Sequence, residues 1–138
     1  MSIVIDASMT LALCFEDEAP PEADRIVDHI ARNGALAPAH WALELANGLV
    51  MAERRGRLEP ADAAAFVDLL QSLPIEIDGD TAAQALHGTL ALARAQRLTS
   101  YDAAYLELAM RRGLPLVTLD APLKAAAARL GTPTALPA

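Results

Sequence analysis

Four short apolar runs, separated by segments of helical length, limit most narrowly what this chain can fold into. Ile3-Val4-Ile5, Ala35-Leu36-Ala37, Pro74-Ile75-Glu76-Ile77 and Leu116-Val117-Thr118-Leu119 have the length of strands. Between them the spacing turns helical. Ala23, Ile26, Val27 and Ile30 share one face of Glu22 to Arg32, which Asn33-Gly34 stops. Ala63, Phe66, Val67 and Leu70 form a second stripe after Glu59-Pro60. Further helices are predicted from about His40 to Arg55, from Asp80-Thr81 to about Gln96, from Tyr101 to Arg112 behind a Thr99 or Ser100 cap, and from Ala121 to Leu130. Ser8 can cap a helix running to about Phe15, and the tail near Thr134-Ala135 can add an edge strand. Neighbouring parallel strands need a crossover of about a dozen residues or more, and these intervening segments supply it. The expected fold is therefore α/β: a three-layer α/β/α sandwich with a short central parallel sheet, as one domain over residues 1–138.

Composition narrows the function. The formal net charge is -7, which excludes a broad, non-specific grip on nucleic acid but leaves room for a local basic path, a metal-bridged phosphate or a basic partner. Cys14 is the lone cysteine, so no disulfide closes within the chain, as suits a reducing cytoplasm. The first residues lack a basic leader region, and Asp6 interrupts their apolar run. No uncharged segment reaches the roughly 20 residues that span a bilayer. The expectation is a cytoplasmic protein with no membrane association.

Chemistry points to four carboxylates. Asp6 follows the first strand and Asp120 the last, and ligands of parallel sheets bind beyond the carboxyl ends of strands. Glu44 is the only formally charged residue between His40 and Ala52, among Ala42, Leu43, Leu45 and Ala46. Asp102 sits in the first turn of its helix. Each has an ordinary alternative: Asp6 and Asp120 as helix caps, Asp102 as a dipole partner, Glu44 as a salt bridge or an exposed acid. Brought together they would repel, and either protons or cations must relieve them. Oxygen ligands without a Cys–His grouping favour Mg²⁺ or Mn²⁺. His29, His40 and His87 have no metal-binding spacing, although His40 and Glu44 are an i, i+4 pair. Asn47 shares the face of His40 and Glu44 and could orient that acid. Trp41 reads as core rather than as a base-stacking surface.

The opening IVIDAS, then PAHWALELANGLVMAERRGRL, then SYDAAYLELAMRRGLPLVTLDAPLKAAA, together resemble the PIN-domain nucleases and, among them, VapC-type toxins of toxin–antitoxin pairs. The resemblance runs from Ile3 to about Leu130. It implies that Asp6, Glu44, Asp102 and Asp120 form a metal site for Mg²⁺- or Mn²⁺-dependent endoribonuclease activity. It also implies a homodimer and inhibition by a cognate VapB-type antitoxin. Ser8, Asn47, Thr99 and Ser100 are the supporting candidates. Arg54, Arg55, Arg57, Arg111 and Arg112 are candidate RNA contacts, although arginines at helix C-termini also suit the dipole. The rival readings are a PIN nuclease of RNA processing and a non-catalytic acidic binding or signalling domain. A phospho-acceptor domain would place a Lys after the last core strand, whereas the single Lys here, Lys124, lies within the last helix.

Overall fold

A computed structural model describes residues 1–137. Strand β1 (Ile3–Ile5) leads into α1 (Ala7–Ala12) and α2 (Ala23–Asn33), and β2 (Ala35–Ala37) into α3 (Trp41–Arg54) and α4 (Pro60–Ser72). Strand β3 (Ile75–Ile77) is followed by α5 (Thr81–Gln84), a π-helical turn (Ala85–Thr89), α6 (Leu90–Gln96) and α7 (Ser100–Arg112). Strand β4 (Leu116–Val117) and α8 (Ala121–Arg129) complete the chain. The sheet is parallel, in the order β3-β2-β1-β4. Connections from β1 proceed to β2 on one side, and the chain returns to β4 on the other. The order therefore reverses beside β1, and the carboxyl ends of β1 and β4 are where sheets of this kind bind ligands.

Alternation along β1 divides the core in two. Val4 and Leu36 face Trp41, Leu45, Leu49, Phe66, Tyr105, Leu108 and Leu123 on one side. Ile3, Ile5 and Val117 face Met9, Ile26 and Ile30 on the other. Helices thus cover both faces, as the three-layer expectation requires. At about 25 cal/mol per Å² of apolar area, these two faces are the main stabilising term.

Several local expectations change. Asp6, not Ser8, caps α1 by accepting the Met9 N–H, and α1 ends at Ala12 rather than Phe15. Strand β4 stops at Val117 because the Thr118 hydroxyl is drawn to Asp6 and to the Asp120 N–H. No strand forms at Thr134-Ala135; the tail gives β4 one backbone bond, from Leu116 N–H to the Pro133 carbonyl at 2.8 Å. Asp80 precedes α5 without a side-chain cap bond. On α3, Ala42, Leu43 and Ala46 face solvent, Leu43 at 75% exposure, so Glu44 is not enclosed by its apolar sequence neighbours. Among the described residues no helix is long and apolar enough to cross a membrane.

Two contacts set α3 against α1. The Trp41 indole N–H donates to Thr10 Oγ1 at 3.1 Å, and that hydroxyl donates to the Asp6 carbonyl at 2.7 Å. One turn beyond Glu44, a Cβ at Gly48 would lie 2.5 Å from Leu11 Cδ1. The missing side chain therefore permits the close approach that brings the Glu44 end of α3 to the Asp6 turn. Gly48→Leu gains about 1 kcal/mol of helix propensity but overpacks this contact at a cost of about 1–3 kcal/mol. Urea denaturation is expected to show a lower midpoint for the variant. An equal or higher midpoint would show that Leu11 simply moves aside.

Candidate active site

Asp6 is 3% exposed, yet its carboxylate is generously supplied with donors. Ser8 Oγ lies 2.9 and 2.8 Å from its two oxygens, the Met9 N–H donates at 2.9 Å, and the Thr118 hydroxyl donates to Oδ2. Ser8 Oγ also accepts the Leu119 N–H at 3.2 Å, and Thr118 Oγ1 accepts the Asp120 N–H at 3.0 Å. Two hydroxyls thus fasten the end of β1 to the turn before α8. Asp120 faces this turn and caps α8 through the Leu123 N–H at 2.8 Å.

Glu44 comes from the facing side. The Tyr105 phenol donates to Glu44 Oε1 at 2.5 Å, and His40 Nε2 lies 3.4 Å from the same oxygen. Burial and the adjacent Glu44 carboxylate push the Tyr105 phenol far above its usual range, so it remains a donor at any physiological pH. Asp102, in the first turn of α7, presents its carboxylate to the same space without a side-chain hydrogen bond among the described residues. Thr99 caps the helix by accepting the Asp102 N–H at 3.2 Å. Ser100 and Asn47 are exposed and bond to none of the four acids.

The acids lie within electrostatic reach of one another. Burial raises the Asp102 pKa, and Asp120, Glu44 and Asp6 raise it further. Burial also raises Asp6, against its three hydrogen bonds, with Asp120 adding to the rise. None of the four pairs with an Arg or Lys among the described residues. Asp78, just beyond β3, makes the contrast: it is 6% exposed but bound by Arg111 at 2.6 Å, which lowers its pKa. Charge and donor chemistry therefore suit a divalent cation at Asp6, Glu44, Asp102 and Asp120. Among the described residues, however, no three acidic, His or Cys side chains already close on one point as a ligand set. Three of the four carboxylates bond to local donors instead.

The candidate RNA-contacting arginines divide. Arg57 is held by Asp17 and Glu18 and lies over the Phe15 ring, while Arg111 is held by Glu107, Asp78 and Asp80. Arg54, Arg55 and Arg112 are exposed. At 1.5 Å rise per residue, Arg54 lies about 15 Å along α3 from Glu44, and Arg111 about 13 Å along α7 from Asp102. The helices that carry the acids carry these cations at their opposite ends. Sequence reading overlooked Tyr105, Thr118 and Asp78. The first two stand three residues after Asp102 and two before Asp120, a proximity that hints at a shared role; nothing local marked Asp78 as neutralised.

A raised carboxyl pKa stabilises the fold below the ordinary Asp range and loses that contribution as pH rises through the folded-state value. In chelator, Asp102→Asn is therefore expected to raise the melting temperature at pH 7. That gain should vanish below about pH 4, where the carboxyl is neutral in both states. A melting series that shows no gain at neutral pH would mean that Asp102 is not under repulsion.

Comparison with known proteins agrees with this architecture. The family model described as "PIN domain" matches residues 3–129. The chain is 35% identical over 133 residues to a Pyrobaculum aerophilum protein named Ribonuclease VapC3, covering 96% of this chain and 100% of that one. It is 33% identical over 118 residues to a Mycobacterium tuberculosis protein also named Ribonuclease VapC3, covering 86% and 82%. Among solved structures, PAE2754 from Pyrobaculum aerophilum superposes with a TM-score of 0.66 at 29% identity, over 91% of this chain and 87% of that one. Mycobacterium tuberculosis VapC20, titled a sarcin-ricin loop cleaving toxin, shares the fold with a TM-score of 0.59 at 18% identity, over 90% and 94%. With its parallel sheet, its crevice beside β1 and a family match over nearly its whole length, this chain belongs to the PIN-domain family and is of the VapC type.

Proposed function

We propose that this protein is a Mg²⁺- or Mn²⁺-dependent endoribonuclease and the toxin of a toxin–antitoxin pair. The observation that carries the reading is that Asp6, Glu44 and Asp120 all act electrostatically on Asp102, with no Arg or Lys paired to any of the four among the described residues. The naming of its relatives as ribonucleases supports the same reading. A structural role alone would favour a counter-ion such as Arg111 supplies to Asp78.

Asp6, Glu44, Asp102 and Asp120 would hold the divalent ion, which would supply Lewis acidity toward water and positive charge toward the phosphate. The chain's own residues set the remainder. Ser8 and Thr118 fix the orientation of Asp6, and Tyr105 fixes that of Glu44. Asp102 has no competing hydrogen-bond donor on its side chain, so it is the acid freest to accept a ligand or a proton. In-line attack by water on a phosphodiester would leave 5′-phosphate and 3′-hydroxyl ends. A cognate VapB-type antitoxin is the proposed protein partner, consistent with a net charge of -7 and a basic segment to match it. A homodimer is the proposed assembly, to be checked by light scattering.

Asp6→Asn and Asp102→Asn, which keep the side-chain shape, are expected to reduce cation-dependent RNA cleavage by about 10²-fold or more while far-UV circular dichroism stays unchanged. Cleavage by both variants at the wild-type rate would end the hydrolytic reading. Millimolar Mg²⁺ or Mn²⁺ should also raise the melting temperature, because only the folded chain gathers the acids. The shift should be smaller in Asp102→Asn; no shift in the wild type would argue against a site formed before substrate arrives.

A further inference from the structure

We propose that Tyr101, backed by His40, is a stacking platform for one nucleobase of the RNA strand that enters the acidic crevice, an inference that rests on the ribonuclease reading above. The chain has five Trp, Tyr and Phe residues. Trp41, Phe66 and Tyr105 are buried, and Phe15 lies beneath the Arg57 guanidinium. Tyr101 alone presents an open ring, at 63% exposure, and it adjoins Asp102 in the first turn of α7.

The backbone that carries the ring is anchored. His40 Nε2 lies 2.9 Å from the Tyr101 carbonyl; a carbonyl only accepts, so this nitrogen carries the hydrogen. The two rings lie 5.9 Å apart, centroid to centroid, at 50°. His40 in turn meets Tyr105 edge-on at 5.0 Å and 61°, and Tyr105 holds Glu44. Three rings therefore lead from the partly exposed Glu44 to solvent. The His40 ring beside it gives the Tyr101 ring a neighbour on one side and leaves the rest of it open to a base.

Charge explains why such a surface is needed. Four acids line the crevice, while Arg57 and Arg111 are occupied by carboxylates of their own. A phosphate grip of the usual kind is thereby weakened. Stacking on an aromatic face is independent of charge and accepts any base, which is how splayed single-stranded RNA is commonly held.

The test is fluorescence anisotropy with a labelled, mixed-sequence single-stranded RNA of 12 nucleotides and its abasic counterpart, in millimolar Mg²⁺. Each is titrated with the full chain as wild type, Tyr101→Phe and Tyr101→Ala. The expected result is a rise in Kd of about 10-fold for Tyr101→Ala on the base-bearing strand. Tyr101→Phe should stay within about twofold of wild type, because it keeps the ring. The abasic strand should bind all three proteins equally. Equal binding of the base-bearing strand by wild type and Tyr101→Ala overturns the platform, and so does an equal loss in the Phe and Ala variants. If Tyr101→Ala also cleaves like wild type while Asp102→Asn does not, the platform alone fails and the nuclease stands. If the wild type neither binds nor cleaves RNA with either cation, both readings fail.

Discussion

A carboxylate buried at the end of the central strand is the constraint on which the rest of this structure depends. Burying Asp6 disfavours its charge, and the fold answers with donors from three places: the α1 backbone, Ser8 and Thr118. Thr118 lies on the far side of the switch in strand order. Satisfying Asp6 therefore also sets the turn before α8 and places Asp120 in the same crevice. Because the Asp6 carbonyl takes the Thr10 hydroxyl and Thr10 takes the Trp41 indole, α3 is fastened to the same turn.

These hydrogen bonds ease the burial of Asp6 without removing its charge. The contrast with Asp78 is instructive. Both are strand-end acids, both are buried, and their pKa values move in opposite directions. Arg111 accounts for the difference, since a cation in contact favours ionisation whereas burial and nearby acids oppose it. One carboxylate belongs to an internal ion-pair network joining α7 to the segment after β3. The other belongs to a group that still has negative charge to be met from outside.

Much of this was legible in sequence because it depends on local periodicity. The Ile3-Val4-Ile5 run, the stripe of Ala23, Ile26 and Ile30, and the Gly34 stop mark elements that the structure contains. The candidate acids were legible in another way, as charged residues at strand ends or in apolar context, and the structure brings all four within electrostatic reach of Asp102 or Asp6. Missed features were those that depend on distant partners. Glu44 looked enclosed by Leu43 and Ala46, which instead face solvent. Arg57 and Arg111 looked available because no local pattern discloses that Asp17, Glu18 and Asp78 will hold them.

Sequence by itself determined the alternation of strands and helices, the parallel sheet that follows from it, and the excess of acid over base. These depend on residue spacing and on charge, which are properties of the chain as written. Tertiary structure alone decided which acids would be neutralised and which would remain exposed to one another. It also decided that Tyr101 would stand open beside them. The reason is physical: a carboxylate's ionisation and an aromatic ring's exposure are set by whatever lies within a few ångströms, and the strand order supplies those neighbours from residues up to a hundred or more positions away.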